Sequence, residues 1–165
     1  MINNISIKAL KSIADINISC SKLNLFVGTN SSGKSTVLQA ILLISQNLEY
    51  MYGLNGPLVS LGEFREIKNF NIGDKEIVVT SQLESSDIKL SINEDSNLLS
   101  SSLDLDIIIN SLSYRKQKLH YLSCHRIGCQ DFYHKNMYSI DPFGINGEYT
   151  INYLMEHGSD ELDEN

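Results

Sequence analysis

Residues 28–36 read Gly-Thr-Asn-Ser-Ser-Gly-Lys-Ser-Thr and fit the pattern G-x-x-x-x-G-K-[ST], the Walker A phosphate loop. No other stretch restricts the fold as tightly. Gly28 and Gly33 lack a Cβ, so the backbone can bend sharply and come close to a polyanion. The N–H groups of Gly28, Thr29, Asn30, Ser31, Ser32 and Gly33 then face inward as an anion nest, backed by the positive end of a helix dipole. In such a loop Lys34 reaches the β- and γ-phosphates of ATP as a point charge, and the Ser35 hydroxyl ligates Mg²⁺. Thr36 is the candidate contact to the α-phosphate.

The pattern demands a strand before the loop and a helix after it. Leu23-Asn24-Leu25-Phe26-Val27 is a short, mostly apolar run ending at Gly28, which predicts a buried strand. Thr36 to Leu48 is too long for an ordinary strand and apolar around most of its circumference, which predicts a largely buried helix reaching about Tyr50. Gly53-Leu54-Asn55-Gly56-Pro57 then breaks it.

Elsewhere the apolar spacing favours strands. Ile5 to Leu10 and Ile13 to Ile18 alternate and predict, with 23–27, three short N-terminal strands in a small antiparallel sheet. Residues 58–73 read as irregular. Glu76–Leu83 and Ile88–Ile92 predict a hairpin turning near 84–87. Asn93 to Ser102 is polar and Ser-rich, a predicted surface loop. Leu105–Ile109 and Lys118–Leu122 are strand candidates, and 147–157 is a helix candidate ended by Gly158.

A chain of 165 residues with 42% apolar and 20% charged residues is long enough for one domain with a proper core. We expect a single nucleotide-binding domain over 1–158 and an acidic tail over 159–165. A net charge of −7 argues against a generally basic nucleic-acid binder. Cys20, Cys124 and Cys129 are an odd number and cannot all pair within the chain, which suits a reducing, cytoplasmic setting. The longest apolar run, Ala40 to Ile44, is far short of a membrane span, so no membrane partner is expected.

With Asn30 at the third position and Ser-Gly-Lys-Ser-Thr following, the loop resembles the ABC-type ATPase heads of the SMC, RecF and overcoming-lysogenization-defect nuclease families. The opening strands are similar to their N-terminal β-lobe. Residues 54–64 resemble the stretch after the first helix in a bacterial group of RecF-like AAA ATPases. Residues 120–128, with 141–144 and 147–150, resemble that group's Tyr-Leu-Ser-Ala-x-Arg-x-Gly-Pro region. The resemblance implies an α/β P-loop fold with an antiparallel N-terminal β-lobe and a partly parallel core sheet. It also implies ATP and Mg²⁺ as ligands, and a homodimer or a second ATPase half as partner. DNA, or a nuclease partner in repair or phage defence, would be met through the full assembly. Arg126, inside the matching motif, is the candidate extra phosphate contact.

Two elements of such heads are missing from the sequence. No apolar strand ends in Asp-Glu, since Leu105 to Asn110 lacks the acid, and Leu99 to Leu103 lacks the glycines of a signature motif. The chain therefore reads as the N-terminal part of a head, with weak or no ATPase activity by itself. A non-catalytic nucleotide-binding module completed by a second chain, or an inactive remnant, stand as alternatives. His120, Cys124, Cys129 and His134 could hold zinc, but spacings of four, five and five are not a common zinc pattern, and packing or surface roles are expected. Arg115, Lys116, Lys118, His125 and Arg126 form the one basic concentration, read chiefly as a solvated face.

Overall fold

Alternation decides the first element. Ile5, Ile7 and Ala9 point to one side of strand β1 (Ile2–Leu10) and are fully buried there. In the computed structural model, which describes residues 1–83, 86–102, 104–116, 118–123, 131–137, 142–144 and 146–159, β1 pairs antiparallel with β2 (Ile13–Ser19) on one side and β3 (Ile77–Leu83) on the other. β3 continues into β4 (Asp87–Ile92), and β4 into β5 (Asn97–Ser101). The sheet order is β2-β1-β3-β4-β5 and every pairing is antiparallel.

One face of this sheet is apolar. Ile77 and Val79 of β3 join Ile88, Leu90 and Ile92 of β4 on it, all buried, and helix α1 (Lys34–Asn47) packs on β1 and β3 with Val37, Ala40, Leu43 and Ile44 buried. An antiparallel sheet covered on one face suits this alternation. A single turn, α2 (Phe64–Ile67), lies within the stretch that reads as irregular.

Five expectations are corrected. Leu23–Val27 is not a strand: Leu23, Leu25 and Val27 are 87, 83 and 79% exposed, because no strand of the described residues lies alongside to share a ladder. The partly parallel core expected around it is accordingly not formed by the described residues. Residues 97–101 are strand β5, not loop; pairing with β4 overrides their weak strand propensity. Residues 105–112 are helix α3 (Leu105–Leu112), not strand, capped by the Asp104 carboxylate, which accepts from the Asp106 N–H at 3.3 Å. Residues 118–122 are described and form no strand.

The chain divides into two compact units, residues 1–113 and 114–165. The first holds the sheet, α1, α2 and α3. In the second, α4 (Thr150–His157) ends at Gly158, whose N–H donates to the Leu154 carbonyl at 2.8 Å. There Phe143 stacks between His120 (5.4 Å, edge-on) and Tyr153 (4.6 Å). None of the helices among the described residues is long and apolar enough to cross a membrane.

Candidate phosphate-binding site

The turn between β1 and β2 has only two residues, Lys11 and Ser12, and it lands on the loop that opens α1. Contact there is close. A Cβ on Gly33 would lie 3.2 Å from Ile13 Cγ1 and 3.4 Å from Ser12 Oγ, and its φ of +95° is one that side-chain-bearing residues rarely adopt. At the other end of the loop Gly28 has φ +153°, and a Cβ would sit 3.0 Å from Ser32 Oγ. Both glycines therefore stand where the bend needs them. Between them Ser31 is left-handed (φ 64°), and the Ser32 N–H donates to the Thr29 carbonyl at 3.4 Å.

Gly33 is also the N-cap of α1. Its carbonyl accepts from the Val37 N–H at 3.1 Å, which starts the helix ladder. No side chain caps this end and no acidic residue stands in the first turn. The positive end of a 14-residue helix is thus left without an anion from its own cap or first turn.

A cavity of about 470 Å³ opens at this point, lined by Lys11, Ser12, Asn30, Ser31, Gly33, Lys34, Ser35 and Thr36. No carboxylate is among them. Gly28, Thr29 and Ser32 shape the bend behind it. The Lys34 ammonium is folded back on the loop, donating to the carbonyls of Gly28 (2.9 Å) and Thr29 (2.6 Å). Both acceptors are neutral, so an anionic oxygen would outcompete them. Ser35 is exposed at the helix mouth, whereas Thr36 is 6% exposed. Lys11 reaches across to α1, its Nζ donating to Gln39 Oε1 at 2.9 Å, and burial lowers its pKa from the ordinary lysine value.

The structure thus gathers six of the nine expected loop residues around one cavity, with the other three forming its bend. It adds Lys11 and Ser12, which sequence reading missed. Two polar residues between alternating strands signal a turn, but nothing in their spacing says where that turn lands. The small residue at position 33 is the only trace of the close contact.

Arg126, Cys124 and Cys129 lie outside the described residues. His120 and His134, the other two members of the weighed zinc set, sit against the rings of Phe143 and Phe132. Among the described residues no group of three or more His, Cys, Asp or Glu is arranged to hold a metal ion. A hydroxyl-ligated Mg²⁺ at Ser35 is a different case. Such an ion takes one or two protein oxygens and completes its shell with water and phosphate.

Compared with known families, residues 1–154 match the family model described as an AAA ATPase domain. No curated protein matches the chain.

Proposed function

The chain belongs to the AAA ATPase domain family, and on that premise we propose that its 28–36 loop binds ATP with Mg²⁺. The observation that carries this reading is the cavity, with no carboxylate among its described lining residues, that brings loop residues 30, 31 and 33–36 together with a second ammonium, that of Lys11. A triphosphate is the ligand class that such a concentration of donors and positive charge suits.

The roles follow from position. The N–H groups of residues 28–33 cradle the β-phosphate. Lys34 leaves the Gly28 and Thr29 carbonyls for the terminal phosphates. Exposed Ser35 would supply a protein oxygen to Mg²⁺, which when bound would neutralise phosphate charge. Thr36 and Ser12 offer hydroxyls to the α-phosphate side, and Lys11 adds charge from the hairpin turn. Arg126 is a further candidate contact.

The chain works as the N-terminal part of an ABC/RecF-like head, paired with a second ATPase half or another copy of itself. The resemblance of residues 54–64 and 120–128 to RecF-like heads supports this placement, as it supports DNA or a nuclease as contacts of the full assembly. It also supports a cytoplasmic location, a P-loop fold for the completed head, and repair or phage defence as its setting. That no carboxylate stands among the described lining residues favours binding without turnover by this chain alone.

Calorimetry with ATP and Mg²⁺ tests the reading. We expect saturable binding, and a tenfold to hundredfold weaker affinity for Lys34→Ala, as about 1.5–3 kcal/mol for a hydrogen bond to a charged group implies. Equal affinities of wild type and variant would overturn it.

A further inference from the structure

The turn that carries Lys11 and Ser12 is held from behind by one buried amide. Asn69 is 2% exposed and lies two residues beyond α2. Its Nδ2 donates to the Lys11 carbonyl at 2.7 Å, and its backbone N–H donates to the Ala9 carbonyl at 2.9 Å. Its Oδ1 accepts from the Asn71 N–H at 2.9 Å, which fixes the amide's orientation. The Lys11 N–H in turn donates to the Ile67 carbonyl at 2.6 Å, and Leu10 forms an isolated antiparallel bridge with Lys68. Residues 67–69 therefore take up the polar groups that the hairpin leaves unused.

This clamp matters because the turn is not a relaxed one. Ala9 and Lys11 have φ values of 63° and 52°, a region that residues of their type rarely enter and that persists only where the surroundings impose it. Neither Ala nor Lys has the side-chain chemistry that eases Asn or Asp into this region. The imposed conformation sends the Lys11 side chain over α1, where Gln39 accepts from its ammonium beside the phosphate cavity.

We propose that Asn69 is a positioning residue for the phosphate cradle, acting on a bound triphosphate through Lys11. The proposal rests on the reading of that cavity as the ATP site. Asn69 does not line the cavity, so any effect on ATP has to pass through the turn.

A double-mutant cycle reads this directly. ATP–Mg²⁺ affinity is measured by calorimetry on the full chain for Asn69→Ala, Lys11→Ala and the double variant, with thermal unfolding followed in parallel. We expect Asn69→Ala to weaken ATP binding fivefold to tenfold in the wild-type background and less than twofold once Lys11 is gone. A scaffold role would lower the melting temperature but leave the two substitutions additive in affinity, and additivity overturns the proposal. So does wild-type affinity in Asn69→Ala. Asn69→Ser, which keeps a donor, is the milder variant and is read the same way. If neither variant folds even with ATP–Mg²⁺ present, Asn69 belongs to the scaffold and the proposal fails. Lys34→Ala separates the two readings: if it too binds like wild type, the ATP site itself is misplaced, whereas if it loses affinity while Asn69→Ala does not, only the positioning role falls.

Discussion

At the scale of single residues, Gly33 and Lys11 show how closely two chain segments share one site. Gly33→Ala puts a methyl 3.2 Å from Ile13 Cγ1 at a φ of +95°. Strain at such angles costs about 1–3 kcal/mol. We therefore expect Gly33→Ala to lower the urea midpoint by that equivalent and to weaken ATP binding together with it, because the same residue opens the helix mouth. Lys11 gives a pH dependence whose sign can be worked out. Burial lowers its pKa below the ordinary 10.5, so between the folded and unfolded pKa values the unfolded chain holds more protons. The destabilisation from charging Lys11 is fully present at low pH and is relieved as pH rises through that window. ATP binding has the opposite preference, since phosphate favours the ammonium. ATP affinity should therefore fall as pH rises through the lowered pKa, somewhere below 10.5, and titrations of Lys11→Gln should lack that decline. The loop itself was legible from sequence because its chemistry is local: glycines, lysine and hydroxyl sit within nine residues. Lys11 was not, because it reaches the cavity through a hairpin and a left-handed turn that no short spacing encodes.

At the scale of elements, α1 is anchored at its far end by buried amides and not by apolar contact alone. Asn47 Nδ2 donates to the carbonyls of Leu43 (2.8 Å) and Gly53 (2.9 Å), and its Oδ1 accepts from the Gly53 N–H at 2.7 Å. Gln46 joins it, donating to Gly53 and accepting from the Val59 N–H at 3.0 Å. Ser45 Oγ donates to the Leu112 carbonyl at 2.8 Å, which ties α3 to the same end. Asn47→Ala strands the Gly53 N–H in a buried place and leaves its carbonyl to Gln46 alone. We expect a loss of about 1–3 kcal/mol, read as a lowered urea midpoint with little change in its slope. The elements misread from sequence fail for identifiable reasons. In α3, Leu105, Ile108, Ile109 and Leu112 follow helical spacing, but consecutive isoleucines mimic a strand over the first five residues. β5 has the opposite problem, since Asn97, Ser100 and Ser101 carry little strand preference and only the exposed edge of β4 recruits them. Leu23–Val27 has strand composition and, among the described residues, no neighbour to pair with. Composition speaks to what a segment can become, while the ladder depends on what stands next to it.

At the scale of the whole chain, the division into two units makes a sharp claim about where ATP is held. All eight cavity-lining residues, the Asn69 clamp and the Gln39 acceptor lie within residues 1–113, and so do the sheet and the helix that position them. The expected phosphate contact at Arg126 falls in 114–165. If the cradle is self-sufficient, a fragment of residues 1–113 should bind ATP–Mg²⁺ within about threefold of the full chain, since a difference below about 0.7 kcal/mol means no charged contact has been lost. If Arg126 reaches the phosphates, removing it should cost tenfold or more, and Arg126→Ala in the full chain should reproduce that loss while keeping both units intact. The same fragment tests the chemistry. Among the described residues the lining offers donors and cations but no carboxylate that could hold Mg²⁺ or orient a water. Binding and turnover should therefore separate: heat on titration with ATP–Mg²⁺, and no release of phosphate above background from fragment or full chain. Phosphate release that disappears in Lys34→Ala would mean that an acid from outside the described residues completes the site within a single chain.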